Sequence, residues 1–418
     1  MATPATRAEA ANQPAAAASL TGRGFGEAVR RVEEVHEAIA RRAFVASGTP
    51  TSPARRLHDA IAAGSYGAVR VAGSAAGALA ATALRARPPR NAAGWFSATR
   101  GGSLALAALN GFLGDRLERE RSELAIEMEL WQAGRAVPVD RESLAAAFPT
   151  AAPRLAVFVH GLCETERAWW LGAERLWGEA DSSHGSRLER GLGITPLYLR
   201  YNTGLHVSEN GARLARLLDT VVGAWPCEVE EIALVGHSMG GLVARSACHQ
   251  GESGGCGWVS LTRKVVYLGT PHLGAPLEKA TNVAAWGLAA LDETRPLATV
   301  LNARSAGIKD LRHGALLEED WANCDPDAVL GDRCANVPLL ETAEHCWVCA
   351  TVTRQPEGPL GRVAGDLLVL FESGSGRGGK RGRRVPFVEE SGRHLPNATH
   401  FDLLNHPAVY GHLREWLA

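Results

Sequence analysis

One serine of this chain lies in a sequence context that favours nucleophilic chemistry. The apolar run Ile232–Val235 leads into Gly236-His237-Ser238-Met239-Gly240-Gly241, and helix-forming residues follow. The glycines let the chain turn so sharply between a strand and a helix that the serine hydroxyl projects from the bend. The same five-residue pattern recurs at Gly251–Gly255, but there no apolar strand precedes and no helix follows. The context therefore predicts that Ser238 is the nucleophile and that Ser253 lies in a loop.

Apolar runs and helical stretches alternate after residue 120, and this alternation predicts the fold. Runs without polar alternation indicate strands that are covered on both faces, as in a parallel sheet. The predicted strands are Leu155–Val159, Thr195–Tyr201, Ile232–Val235, Val265–Leu268 and Cys346–Val352, with helices such as Gly211–Val222 and Gly240–His249 between them. An antiparallel hairpin of Leu124–Trp131 and Arg135–Val139 is predicted before them. Such sheets carry their chemistry beyond the C-terminal strand ends, where Ser238 is predicted to lie.

Composition narrows the classes of function. The formal net charge of -1 disfavours nucleic-acid binding, and the basic run at residues 380–384 is flanked by Gly and Ser, as in a solvated loop. Cys346 and Cys349 have the spacing of a metal or redox pair, but no second pair completes a site. We interpret them as packed thiols in a reducing cytoplasm. No metal site and no phosphate-binding loop is recognised, so no cofactor is expected.

The chain before residue 120 is expected to be separate from the sheet. Residues 1–24 lack a secretory signal and are interpreted as a disordered tail, and residues 25–119 as a helical region. Residues 26–46 have an apolar helical face, and the Ala/Gly-rich residues 59–85 are long enough to cross a bilayer. Insertion of Arg70 at the centre of such a membrane span would cost about 2.5–3.5 kcal/mol. A cytoplasmic protein is therefore expected, with peripheral membrane contact of these helices as the alternative.

Three segments resemble bacterial lipases and esterases of the α/β-hydrolase superfamily. They are His160–Leu162, Gly236–Gly241 and Gly269–Pro276, and they are most similar to the branch that includes relatives of glycosylphosphatidylinositol inositol-deacylases. The resemblance covers about residues 120–418 and implies an α/β-hydrolase domain with a mostly parallel central sheet and helices on both faces. It also implies a cap or lid at about residues 277–345, although a helix packed on the sheet is an equal alternative there. In this family the position of His272 is structural.

The superfamily places its triad in the order Ser, acid, His. The segment around His400, before the predicted last helix Pro407–Leu417, is similar to the family's His-containing segment. The competing histidines are His394, His406 and His412. Gly365-Asp366-Leu367 resembles the acid segment, which makes Asp366 the expected acid, although Leu367 stands where glycine is usual. Asp402 is the alternative acid because it is close to His400 in sequence.

The oxyanion hole of this fold uses two backbone N–H groups. One follows the nucleophile, which indicates Met239, and the other comes from the loop after an earlier strand, which indicates Leu162. His160 is expected to shape that loop and not to carry protons. These residues predict a carboxylic-ester hydrolase, an esterase or lipase, acting on a small-molecule or lipid ester. Two different functions stay open: an acyltransferase that uses the same acyl-enzyme, and a scaffold or membrane-surface protein with a relic site.

Overall fold

The computed structural model describes residues 13–27, 53–86, 100–275, 304–322, 334–377 and 383–418, with isolated residues between 29 and 41. The chain divides into two compact units. Among the described residues, one unit comprises 13–27, the isolated residues between 29 and 41, 53–86, 100–106, 117–125 and Arg304, and the other comprises 107–116, 126–275 and the described residues from 305 onward. The predicted boundary at residue 120 therefore differs from the observed division, because residues 107–116 group with the sheet. Much of the predicted cap lies outside the described residues, which omit 276–303 and 323–333.

The second unit contains an eight-stranded, mostly parallel sheet. Its strands are β1 (Glu129–Gln132), β2 (Arg135–Val137), β3 (Arg154–Val159), β4 (Thr195–Arg200), β5 (Glu231–His237), β6 (Thr262–Leu268), β7 (Glu344–Thr351) and β8 (Gly392–Pro396). They lie in the order β2-β1-β4-β3-β5-β6-β7-β8. Strands β1 and β2 form the predicted antiparallel hairpin, and every neighbouring pair from β4 to β8 is parallel. This order, with nearly all strands parallel, confirms the predicted fold class.

Apolar side chains cover both faces of the sheet, which explains why its strands lack polar alternation. In β3, Leu155 and Val157 belong to one buried cluster, whereas Ala156 and Phe158 belong to the other. Successive side chains of a strand point to opposite faces, so each strand must contribute apolar residues at every position. Burial on both faces therefore follows directly from the uninterrupted apolar runs of the sequence.

Helices of the second unit pack on both faces of its sheet, since Leu214 belongs to one buried cluster and Leu188 and Leu413 belong to the other. In chain order the helices are α1 (Pro53–Ala86), which belongs to the first unit, α2 (Arg100–Arg119), α3 (Arg141–Ala147), α4 (Ala173–Trp177), α5 (His184–Leu192), α6 (Val207–Ala224), α7 (Met239–Ser253), α8 (Ala306–Asp310), α9 (Pro359–Ala364), α10 (Phe371–Gly374) and α11 (Pro407–Leu417). The predicted last helix is confirmed with its predicted bounds. Strand β8 and helix α5 were not predicted, because both are short and carry several polar residues.

In the first unit, residues 13–27 form a helix that contacts α1. A Cβ on Gly77 would lie 2.7 Å from the Gly22 Cα, and a Cβ on Gly73 would lie 2.3 Å from the Phe25 ring. The Gly73-x-x-x-Gly77 spacing therefore serves close helix packing on protein. The helix over 13–27 differs from the predicted disordered tail, and its alanines have the highest helix propensity. Most of the predicted helix over 26–46 lies outside the described residues.

No helix among the described residues is both long and apolar enough to cross a bilayer.

Candidate active site

Ser238 occupies a sharp turn between β5 and α7. Its backbone has φ 53° and ψ −125°, a strained conformation for a residue other than glycine. The turn brings two backbone segments into contact, because a Cβ on Gly236 would lie 2.5 Å from the Gly241 nitrogen. A Cβ on Gly240 would likewise lie 2.2 Å from the Val159 carbonyl oxygen. The glycines flanking Ser238 are therefore required by space, and Ser238 remains half-buried at the strand end.

Asp366 and His400 form a buried hydrogen-bonded pair. The Asp366 Oδ2 atom lies 2.7 Å from the His400 Nδ1 atom, and both residues are almost fully buried. The other carboxylate oxygen accepts hydrogen bonds from the N–H groups of Leu368 (3.0 Å) and Val369 (2.7 Å). In addition, the His400 N–H donates to the Asp366 carbonyl oxygen (3.0 Å). Both main chain and side chain therefore hold the imidazole with Nδ1 towards the carboxylate.

The His400 ring lies at the end of β6, the strand that neighbours the β5 end with Ser238. The Ser238 N–H donates to the carbonyl oxygen of Leu268, the last residue of β6 (2.8 Å). The next residue, Gly269, touches the imidazole so closely that a Cβ there would lie 3.1 Å from the His400 Cε1 and Nδ1 atoms. The fold thus brings Ser238, Asp366 and His400, which are widely separated in sequence, to one edge of the sheet.

The turn that carries Asp366 contains the departure from the family pattern. Leu367 has φ 86°, in the region that favours glycine, and its side chain is 62% exposed. An L-residue in this region costs about 1–2 kcal/mol. The Val352 N–H donates to the Gly365 carbonyl oxygen (2.9 Å), which ties the turn to the end of β7. The turn therefore forms with leucine in place of glycine, at the cost of strain and not of a steric clash.

The loop after β3 passes directly beside Ser238. A Cβ on Gly161 would lie 2.9 Å from the Ser238 Cβ, so only glycine permits this approach. The Gly161 N–H donates to the Glu164 carboxylate (2.6 Å), and the Cys163 N–H donates to the Thr203 hydroxyl (3.2 Å). Leu162, between them, is half-buried, and Met239 is the fully buried first residue of α7.

The middle of α2 packs against this loop, a contact that sequence reasoning missed. A Cβ on Gly111 would lie 2.2 Å from the Cys163 Sγ, and one on Gly114 would lie 1.8 Å from the Asn202 Oδ1. Asn202 also donates its side-chain amide to the Gly114 carbonyl oxygen (3.0 Å). Gly111 and Gly114, three residues apart, share one helical face, and this spacing was the available signal. This contact explains why residues 107–116 group with the sheet.

Glu164 and His237 are buried next to the predicted site residues and were also missed. The Glu164 Oε2 lies 3.1 Å from the His237 Nδ1, and the His237 Nε2 lies 3.2 Å from the His400 carbonyl oxygen. Burial lowers the pKa of His237, but the charge and hydrogen bond of Glu164 outweigh it and raise the pKa above its usual value. Burial raises the pKa of Glu164, but His237 and the Gly161 N–H outweigh it and lower the pKa. The available signal was a carboxylate two residues beyond Leu162.

The remaining candidate histidines have other contacts. Complete burial lowers the pKa of His160 to about 4, and its ring stacks on Tyr201 with centroids 4.4 Å apart. Burial, followed by the nearby Arg245, lowers the pKa of His272 well below its usual value. The other three contact groups other than Ser238 and Asp366: His394 contacts Thr351, His406 caps α11, and His412 lies within α11 near Glu415.

The remaining candidates of the sequence analysis are Asp402, Ser253 and the two cysteines of β7. Asp402 Oδ2 accepts hydrogen bonds from the N–H (2.8 Å) and hydroxyl (2.7 Å) of Thr399, two contacts that lie away from the His400 imidazole. Ser253 is the exposed last residue of α7, so the predicted loop begins just after it. Cys346 and Cys349 are buried free thiols, and burial raises the pKa of each. Among the described residues, no cluster of His, Cys, Asp and Glu is suited to a metal ion.

Comparisons with known proteins agree with the fold. A family model described as a PGAP1-like alpha/beta domain matches residues 215–325, a segment that includes Ser238. A comparison with curated proteins found no match. The strand order, the turn at Ser238 and this family match assign the chain to the α/β-hydrolase superfamily, which supports hydrolytic chemistry.

Solved structures with some similarity include three from different organisms. A Bacillus licheniformis lipase in its propeptide form is 18% identical, with a TM-score of 0.41, over 63% of this chain and 51% of its own. A lipase-esterase related protein of Clostridium acetobutylicum is 14% identical, with a TM-score of 0.32, over 64% and 94%. A peroxisomal alpha-beta-hydrolase of Saccharomyces cerevisiae is 10% identical, with a TM-score of 0.30, over 64% and 78%. The chain thus spans about half the length of the first of these.

Proposed function

We propose that the protein is a serine hydrolase that cleaves carboxylic esters through an acyl-enzyme on Ser238. The observation that carries the proposal is the 2.7 Å contact between Asp366 and His400, at the edge of the sheet where the strained turn holds Ser238. A serine hydroxyl is a weak nucleophile until a base removes its proton, and an imidazole is the usual base. Ser238, His400 and Asp366 are therefore assigned as nucleophile, general base and orienting acid.

The direction of proton transfer follows from the hydrogen bonds of His400. With Nδ1–H donating to Asp366, the lone pair of Nε2 is available to accept the Ser238 proton. The serine oxygen then attacks the ester carbonyl, and His400 returns the proton to the departing alcohol. In the second half of the cycle a water molecule, deprotonated by His400, attacks the acyl-enzyme, and His400 then returns the proton to the Ser238 oxygen as the acid departs. The buried Asp366 carboxylate stabilises the imidazolium that forms in both halves.

The negative charge on the substrate oxygen needs donors, and we assign the N–H groups of Leu162 and Met239. Met239 begins α7, and the first N–H groups of a helix have no intrahelical acceptor and lie at the positive end of its dipole. In the loop after β3, the N–H groups of Gly161 and Cys163 donate to Glu164 and Thr203. Among the described residues this leaves the N–H of Leu162, between them, for the substrate.

The test uses the purified full-length protein, p-nitrophenyl esters of short and long acyl chains, and a fluorophosphonate probe. We expect Ser238→Ala to lose both labelling and ester turnover, and Ser253→Ala, the matched control in the second Gly-x-Ser-x-Gly segment, to keep both. Labelling that persists in Ser238→Ala and disappears in Ser253→Ala would refute the assignment. Product analysis with added alcohols separates hydrolysis from acyl transfer, because a transferase forms a new ester at the expense of free acid.

A further inference from the structure

A buried carboxylate connects the loop beside Ser238 to the strand that carries it. One oxygen of Glu164, Oε2, contacts both the Gly161 N–H (2.6 Å) and the His237 Nδ1 (3.1 Å). Glu164 lies in the loop after β3, and His237 is the last residue of β5, directly before Ser238. Because Glu164 is 8% exposed and His237 is completely buried, water does not compete strongly for these contacts. The Glu164 side chain thus holds two parts of the site together.

The second nitrogen of His237 faces a carbonyl oxygen, which can only accept a hydrogen bond. Its Nε2 lies 3.2 Å from the His400 carbonyl oxygen, and the two imidazole rings are 4.7 Å apart. A carbonyl oxygen has no proton to give, and an ionised carboxylate has none either. Both nitrogens of His237 must then carry protons, which makes this buried side chain an imidazolium paired with Glu164.

The charged and titratable groups around His237 favour this state. Glu164 faces it from the loop after β3, and the Asp366 carboxylate lies close enough to raise the pKa of His237 further. The neighbouring histidines are His400, which is bonded to Asp366, and His160, which is neutral near pH 7 because burial lowers its pKa to about 4. Two carboxylates therefore face His237, and His160 adds no opposing charge near pH 7.

We propose that Glu164 and His237 are positioning residues of the ester hydrolysis proposed above. As a buried carboxylate–imidazolium pair, they fix the loop of Leu162 and the main chain of His400 relative to Ser238. His237 holds its second proton at pH values below its pKa and loses it above that pKa. Loss of that proton breaks either the contact with Glu164 or the contact with His400, since neutral imidazole donates from one nitrogen only. The proposal therefore predicts a fall in activity at alkaline pH that follows the titration of His237.

Glu164→Gln is the sharpest perturbation, because Oε2 makes both contacts. If the amide oxygen takes its place, the Gly161 contact survives, but the charge that holds the second proton on His237 is gone. If the amide nitrogen takes its place, it cannot accept from Gly161. Each orientation breaks one link of the network with little change in volume. Glu166→Gln is the matched control, because Glu166 is a buried carboxylate paired with Arg200 (2.5 and 2.6 Å) that does not contact Gly161 or His237.

Two measurements on the full-length proteins test the proposal. The first is a titration of 15N-labelled histidine by NMR, with the His237 signals assigned from a His237→Asn variant. The second is kcat and KM for a p-nitrophenyl ester from about pH 6 to pH 9.5, corrected for spontaneous hydrolysis. We expect doubly protonated His237 at pH 7 in the wild type and neutral His237 in Glu164→Gln. We expect Glu164→Gln to lower kcat at least about tenfold and to keep KM within about threefold of the wild-type value. We also expect that its kcat no longer falls at alkaline pH.

The control Glu166→Gln is expected to keep the wild-type pH profile even where its melting temperature is lower. A singly protonated His237 at pH 7 in the wild type would overturn the proposal, whether or not Glu164→Gln folds. A folded Glu164→Gln with unchanged kcat and an unchanged pH profile would also overturn it. If the wild type had no esterase activity while His237 was doubly protonated, the proposed function would fail, and so would the positioning role, although the ion pair itself would stand.

Discussion

Replacing Asp366 by Asn changes the chemistry of the proposed site and keeps its shape. The amide oxygen can still accept hydrogen bonds from Leu368 and Val369, as the carboxylate Oδ1 does (3.0 and 2.7 Å). The NH2 group then occupies the position of Oδ2, 2.7 Å from the His400 Nδ1. Two N–H donors cannot face each other at that distance, so His400 must move its proton to Nε2. In that tautomer it cannot accept the proton of Ser238.

The expected loss of activity is large and the expected loss of stability is small. In a comparable serine hydrolase triad, the same change lowers kcat by about four orders of magnitude, near 5 kcal/mol of transition-state stabilisation. We therefore expect Asp366→Asn to lower kcat at least about a hundredfold. The backbone hydrogen bonds of the turn remain, including that from the His400 N–H to the Asp366 carbonyl oxygen (3.0 Å). The melting temperature should therefore change little.

Asp402→Asn is the matched control, because Asp402 is the other carboxylate near His400. Its Oδ2 accepts hydrogen bonds from Thr399, and an amide oxygen can do the same. We expect its kcat to stay within about tenfold of the wild type. The assay is steady-state hydrolysis of a p-nitrophenyl ester, with a melting curve for each variant. If folded Asp402→Asn lost activity and folded Asp366→Asn kept it, the acid would have to be Asp402, and the reasoning from the hydrogen bonds would be wrong.

Two further variants test the backbone of the site. Gly161→Ala places a Cβ 2.9 Å from the Ser238 Cβ, so we expect kcat to fall at least about tenfold. The control Gly223→Ala, whose new Cβ has no atom within 4 Å, should retain activity. Equal kcat values for the two variants would contradict the close approach of Gly161 to Ser238. Leu367→Gly relieves the backbone strain of Leu367, which has φ 86°. The control Leu171→Gly changes an exposed leucine with φ −61° and relieves no strain. Thermal unfolding should therefore show Leu367→Gly to be more stable than the control by about 1–2 kcal/mol. A Leu367→Gly protein that is less stable than Leu171→Gly would count against strain at this turn.

The sheet and the position of Ser238 could be predicted from the amino-acid sequence alone. Apolar runs predicted strands β3 to β7 because burial on both faces leaves no room for polar alternation. The turn at Ser238 was predictable because its glycines stand between an apolar strand and a helix. Gly236 is required locally, by the backbone of Gly241, whereas Gly240 is required by the backbone at the end of β3. Strand β8 was missed because Gly392-Arg-His-Leu-Pro396 is short and mostly polar, and its place in the sheet depends on pairing with β7. The helix over residues 13–27 was missed because the composition of the N-terminal segment is typical of a disordered tail, although its alanines favour a helix.

Other features of the site depend on how the elements pack in three dimensions. The sequence left Asp366 and Asp402 both open, and the choice between them depends on which carboxylate the fold brings to the His400 ring. The contact of Gly111 with Cys163 and the pair of Glu164 and His237 join residues that are far apart in the chain. Local propensity and periodicity do not identify the partner in such contacts, because a buried ion pair or a close backbone approach exists only once separate elements have packed together. The sequence thus specified the elements, and only their packing selected which side chains meet.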